Sequence, residues 1–197
     1  MHERNNMENK KKYITNGWLA VAIVTLILAI DQIIKIEVKT NMTLGEAIRV
    51  TDWFYIEFIE NNGMAYGMTF FNKLVLSLFR TFAIGAISWY IWRAVKSGLY
   101  SRGYVVCLAM ILAGAAGNLI DCLFYGLVFD ASTPFSVADF VPFGTGYSTF
   151  LHGKVVDMFY FPIIRTTYPH WMPMVGGDDF VFFSPIFNFA DSCISVG

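Results

Sequence analysis

Apolar and polar positions alternate along this chain in long blocks rather than in short periods. Residues 1–16 are polar and include Arg4, Lys10, Lys11 and Lys12. The stretch 17–36 is then mostly apolar, and about 20 such residues suffice to cross a bilayer core. It lacks a small-residue cleavage site and is interrupted by Asp31 and Lys35, so it reads as a retained anchor rather than a cleaved leader. A second apolar block covers 74–95 and a third 104–125. The third is rich in small residues (Ala109, Ala113, Gly114, Ala115, Ala116, Gly117), which allow close helix packing. A fourth span is expected from Pro185, at 185–197 and onward, because proline suits the first turn of a helix. Only six residues follow Asp191, so this fourth helix is expected to be cut short.

Between the blocks lie segments 37–73 and 126–184. In the first, Trp53 to Glu60 is aromatic and β-branched and predicts a strand, closed by a turn at Asn61-Asn62-Gly63. The second has scattered proline, glycine and aromatic residues with no clear periodicity and reads as a long loop. Arg93, Lys96 and Arg102 join the second and third spans and, with Lys10 to Lys12, assign that side to the cytoplasm. Both intervening segments then fall outside. The expectation is an all-α membrane protein of four transmembrane helices, with a small extracytoplasmic β-sheet and a long external loop, forming one domain over 1–197.

Composition supports this reading. The 197 residues are 56% hydrophobic and 15% charged, with mean hydropathy +0.52, whereas soluble domains carry roughly 25% charged residues. A net charge of −1 gives no basic excess for nucleic acid. Cys107, Cys122 and Cys193 form no CxxC and no even framework, and His2, His152 and His170 have no metal-ligand spacing. Cys107 and Cys193 read as packing residues.

Polar groups inside such blocks call for an explanation. At a helical rise of about 1.5 Å per residue, Asp31 and Asn118 both lie roughly 21 Å from the cytoplasmic edge, with Asp121 one turn further out. Asp191 lies roughly 9 Å into a helix entering from outside. The pairs Asn118/Asp121 and Asn188/Asp191 each share a helix face at a spacing of three. Asp157, on the external segment, reaches the same level from above. Each intramembrane carboxylate costs at least about 2.5–3.5 kcal/mol on insertion scales, so several at one depth suggest a site. Taken alone, Asp31 also fits a structural pair with Lys35 at i, i+4. A proton- or cation-coupled transporter and a scaffold with structural carboxylates remain alternatives. The first predicts polar groups spread across the bilayer, whereas here the inner halves of the spans are almost wholly apolar.

Five motifs occur in order: Asp31-Gln32-Ile33-Ile34-Lys35; Asn61-Asn62-Gly63-Met64-Ala65-Tyr66-Gly67; Gly117-Asn118-Leu119-Ile120-Asp121; Val155-Val156-Asp157; and Phe187-Asn188-Phe189-Ala190-Asp191-Ser192. Together they resemble the bacterial lipoprotein signal peptidases (signal peptidase II), membrane aspartyl endopeptidases of four helices. The resemblance implies Asp157 and Asp191 as catalytic residues, with Asp31, Lys35, Asn61, Gly63, Asn118, Asp121 and Asn188 supporting them or binding substrate. It implies hydrolysis of diacylglyceryl-modified prolipoproteins just before the lipidated cysteine. It also implies a multi-pass place in the bacterial inner membrane with the active site towards the extracytoplasmic face, contact with membrane lipid, and inhibition by globomycin-type peptides. No cofactor or metal is required, no nucleic acid partner is expected, and a monomer is the expected state. The chain departs from the family pattern at Cys122, where an arginine is usual, and Arg80 or Arg165 are candidates to replace it. The stretches from Asp121 to Asp157 and from Asp157 to Asn188 are longer than usual.

Overall fold

The computed structural model describes residues 2–62 and 73–197, with side chains described from residue 14. Among the described residues, three stretches are long and apolar enough to cross a membrane: Ile14–Asn41, Lys73–Ser97 and Arg102–Val128. The first belongs to helix α1 (His2–Asn41), and the second is helix α2 (Lys73–Ser97). The third is helix α3 (Arg102–Ile120), which widens into a π-helical turn at Asp121–Tyr125 and ends in one more α-turn at Gly126–Val128. Gly98, at φ 66°, takes the left-handed conformation that closes α2. The Ser101 side chain then accepts the Tyr104 N–H and caps α3. Large side chains face outward on the first two helices, among them Trp18, Leu26, Phe79 and Phe82. An apolar exterior of this kind suits lipid and not water.

Helix α3 sits at the centre of the bundle. Its buried residues Val105, Ala109, Ala113 and Gly117 recur every four positions and form one ridge. Their small size lets a neighbouring backbone approach. A Cβ on Gly114 would collide with the Ala190 carbonyl oxygen, and one on Gly117 would come within 2.6 Å of Asp31 Oδ2.

Above the helix ends lies an antiparallel sheet of four strands in the order β1-β2-β3-β6: β1 (Ala47–Thr51), β2 (Phe54–Asn61), β3 (Val155–Tyr160) and β6 (Ile186–Phe187). The register of β2 on β3 slips between Ile56 and Ile59, where Ile56 opposes Phe159 and Ile59 opposes Asp157. Val156 and Met158 face a core with Val38, Met42, Phe58, Tyr125 and Phe129. Alternation along β3 therefore turns Asp157 to the other face. A separate hairpin, β4 (Ile164–Thr167) and β5 (Asp179–Phe182), connects β3 to β6.

The structure corrects where the last helix starts. Ile186 and Phe187 pair with β3, and the last helix, α4 (Phe189–Val196), starts at Phe189 rather than at Pro185. The reason is local. Pairing with β3 keeps Ile186 and Phe187 extended, so the cap falls to Asn188, whose extended backbone (φ −113°, ψ 179°) suits a residue leaving a strand. The long segment 126–184 is also more ordered than its lack of periodicity suggested, since it carries β3, β4 and β5. Strand β1, which pairs with β2, carried no reading in the sequence. The predicted strand at Trp53 to Glu60 is observed as Phe54–Asn61.

Candidate active site

The site forms where β3, the β6–α4 junction, α1 and the C-terminal end of α3 meet. Asn188 is its hub. Its side-chain oxygen accepts the Asp191 N–H at 2.9 Å, while its own N–H reaches Asp191 Oδ2 at 3.4 Å. This reciprocal capping box, and not a shared helix face, explains the Asn-x-x-Asp spacing. The Asn188 amide also donates to Asp157 Oδ1 at 2.6 Å and to Asn118 Oδ1 at 3.0 Å. Asn118 in turn donates to Asp191 Oδ1 at 2.7 Å. Asp157 Oδ2 accepts from the Asn61 amide at 3.1 Å. Two carboxylates distant in the sequence thus meet at one asparagine, Asn188, with Asn61 on Asp157 and Asn118 on Asp191.

Beneath them, Lys35 is fully buried. Its ammonium lies 2.9 Å from Asp31 Oδ2 and 2.8 Å from Asp121 Oδ2, both also fully buried, and it donates to Asn118 Oδ1 at 2.9 Å. The structural pairing of Asp31 with Lys35 is therefore present, and it coexists with a second role. Asp31 Oδ1 accepts the Ala190 N–H at 3.0 Å, which ties α1 to the first turn of α4. Buried charges of this kind persist only when paired and hydrogen-bonded.

Asp157 and Asp191 differ in setting. Asp157 is 1% exposed, whereas Asp191 is half-buried. Burial raises the Asp157 carboxyl, and the neighbouring Asp191 raises it further, to about 7. The Asn61 and Asn188 amides and the more distant Lys35 pull the other way without prevailing. Burial and a like charge thus favour the protonated form of Asp157. An aromatic shelf continues along its face of the sheet, with the Phe54 and Phe161 rings stacked at 4.6 Å and Phe187 within 6.1 Å of Phe159.

The structure brings together Asp31, Lys35, Asn61, Asn118, Asp121, Asp157, Asn188 and Asp191. Gly63 and the following Met64 to Gly67 lie outside the described residues. Of the two candidates to replace an arginine at Cys122, Arg80 reaches it, with its guanidinium 3.3 Å from the Cys122 sulfur. Arg165 lies instead over the Tyr55 ring at 5.0 Å, on the sheet.

Several residues escaped sequence reasoning. Gln32 donates to Asp31 Oδ2 at 3.1 Å, to Asp121 Oδ1 at 3.0 Å and to the Gly117 carbonyl at 3.3 Å, and it accepts from the Tyr125 hydroxyl at 3.1 Å. Its neighbour Asp31 drew the attention, although an amide inside an apolar span is itself a signal. Lys39 and Glu60 form a second buried ion pair at 2.6 Å. The regular spacing Asp31, Lys35, Lys39 along one helix stripe was the available signal for the lysine.

The chain is similar to known proteins. A family model described as Signal peptidase (SPase) II matches residues 23–197. Lipoprotein signal peptidases from two strains of Porphyromonas gingivalis are 47% identical over 184 residues, spanning 93% of this chain and 81% of theirs. That of Amoebophilus asiaticus is 34% identical over 186 residues, spanning 91% of this chain and 74% of its own. Two solved chains, each described as a bacterial membrane enzyme structure obtained by the in meso method, superpose with TM-scores of 0.61 and 0.60. They share 22% and 23% of residues over 90% of this chain, covering 81% and 86% of their own, and speak to the fold alone.

Proposed function

Since this chain belongs to the signal peptidase II family, a family of membrane proteases that remove the signal peptides of prolipoproteins, we propose that Asp157 and Asp191 are its catalytic pair. The observation that carries the proposal is that Asn188 binds both residues, with Asp157 held further by Asn61 and Asp191 by Asn118. Two carboxylates held side by side cannot both ionise cheaply, so the pair shares one proton. The ionised member takes a proton from a water, whose oxygen attacks the scissile carbonyl carbon. The protonated member donates to the carbonyl oxygen, and the proton returns to the leaving amine as the C–N bond breaks. Apparent ionisations belong to the pair, and the roles of base and acid are not divided between its members. Asn61, Asn118 and Asn188 hold the carboxylates without adding charge. Lys35, Asp31, Asp121 and Gln32 form the rigid floor.

In the finer reading, the bond cut precedes a cysteine that already carries diacylglycerol. The membrane is the bacterial inner membrane, and the site opens to its extracytoplasmic face. In support, the site lies at the ends of α1 and α3 opposite the basic connection Arg93, Lys96 and Arg102. The acyl chains hold the substrate at membrane depth, each buried CH₂ being worth about 0.8 kcal/mol. Gly63, a monomeric state and globomycin-type inhibition belong to the same reading. The test is cleavage of a purified lipidated precursor by Asp157→Asn and Asp191→Asn in detergent. Both are expected to fold and to lose cleavage by roughly 10³-fold or more, within the range of acid–base catalysis. Near-normal cleavage by either variant overturns the pair. Comparable kcat/KM for lipidated and unlipidated precursors overturns the role of the lipid alone.

A further inference from the structure

A second buried polar cluster lies beside the site and is not part of it. Lys39, fully buried, pairs with Glu60 Oε1 at 2.6 Å and donates to the Ser132 hydroxyl at 2.8 Å. Ser132 donates to the same Glu60 oxygen at 3.1 Å. Lys154, about a third exposed, pairs with Glu60 Oε2 at 2.7 Å. Both ammonium groups flank the Tyr147 ring, at 5.0 Å and 5.5 Å, and the Lys154 N–H donates to the Tyr147 hydroxyl at 2.7 Å. Glu60 thus joins the end of α1, the end of β2 and the segment leading into β3.

Its place in the chain gives this cluster a consequence. Glu60 immediately precedes Asn61, and Lys154 immediately precedes Val155, which opposes Asn61 in the β2–β3 register. That register already slips once, between Ile56 and Ile59. A one-residue slip turns every side chain to the other face of a strand, and here it would carry the Asn61 amide away from Asp157. The ion pairs at Glu60 fix both strands at the point where this register matters.

We infer that Glu60, clamped by Lys39 and Lys154, is a positioning residue that holds the Asn61 amide on Asp157 and thereby sets where the catalytic pair ionises. The inference rests on the assignment of Asp157 and Asp191 as that pair. Among the described residues, the charged groups facing Asp157 are Asp191 from α4 and Lys35 from α1, and the Asn61 and Asn188 amides donate to it. Glu60 acts through Asn61, whose N–H favours the ionised form of Asp157. Loosening that amide moves the ionisation upward in pH. Removing the Glu60 charge with no change at Asn61 moves it downward, so the direction separates the two causes.

The experiment is a pH profile of kcat and kcat/KM on a lipidated precursor for the wild type, Glu60→Gln, Lys154→Met and Asn61→Ala, and for Lys154→Met combined with Asn61→Ala. Glu60→Gln is expected to lower kcat about tenfold with KM changed less than threefold, and to raise the alkaline limb by about half a pH unit or more. Lys154→Met removes the more exposed clamp, so it folds even if Glu60→Gln does not, and it is expected to show a smaller shift in the same direction. In the Asn61→Ala background the Lys154→Met shift is expected to vanish, because both act on one interaction. An unchanged or downward-shifted alkaline limb in Glu60→Gln overturns the inference. So does a Lys154→Met shift that is absent, or that persists in full without the Asn61 amide. All these variants keep measurable cleavage, so their outcome is separate from that of the Asp157→Asn test of the pair itself.

Discussion

Glu60 and Asp157 are two buried carboxylates on paired strands, and they behave oppositely. Glu60 is 3% exposed at its side chain and Asp157 is 1% exposed. Burial alone raises both, because the charged form loses its water. At Glu60 that effect is outweighed by Lys39 and Lys154, and the carboxyl falls below its ordinary value. At Asp157 the nearest charge is another carboxylate, and the value climbs to about 7. Burial is thus shared, and the sign of the neighbour decides. One carboxylate becomes a fixed strut, and the other becomes a group that can exchange a proton at working pH.

The largest expected effect comes from removing that neighbour. Asp191→Asn leaves burial as the main cause at Asp157, so its ionisation should move below 7 while cleavage falls by roughly 10³-fold. Isotope-edited NMR or infrared titration of the Asp157 carboxyl checks this. An ionisation that stays near 7 would mean that Asp191 is not the cause.

Lys35→Met comes next. It strands two fully buried carboxylates, and breaking a buried pair in this way costs about 3–5 kcal/mol. Thermal unfolding in detergent should show a large loss. A stability close to wild type would mean that the cluster does not depend on its cation.

The pH dependence of stability separates the two carboxylates more finely. The folded Asp157 lies above its unfolded value, so its contribution is fully present below about 4 and is lost as pH rises to about 7, at roughly 1.4 kcal/mol per pH unit. Glu60 lies below its ordinary value of 4.5, so its contribution is present above that value and is lost as pH falls below it. Unfolding measured from pH 3 to 8 should therefore flatten between 4 and 7 in Asp157→Asn, and weaken its acid-side loss in Glu60→Gln. Indistinguishable slopes in the two variants would erase the contrast.

The smallest effect is that of Lys154→Met on stability. Its ammonium is about a third exposed and Lys39 still neutralises Glu60, so the cost should stay below about 1 kcal/mol. A much larger loss would mean that Lys154 carries the cluster alone.

Much of this was legible along the chain. Block hydropathy determined three spanning helices, because about 20 apolar residues in a row have few other stable fates. The β-branched and aromatic run determined β2. The cost of a carboxylate in an apolar stretch marked Asp31 and Asp121, and motif order marked Asp157, Asn188 and Asp191. What the chain could not reveal depends on contacts between distant residues. The start of α4 depends on Ile186 and Phe187 finding β3, because pairing extends them and leaves Asn188 to cap. The Arg80 approach to Cys122 depends on how α2 packs against α3. The sign of the charge facing each buried carboxylate depends on which strand and helix ends converge. Periodicity encodes which face of an element is buried. Only the packed structure decides what that face meets, and at Glu60 and Asp157 that meeting sets the chemistry.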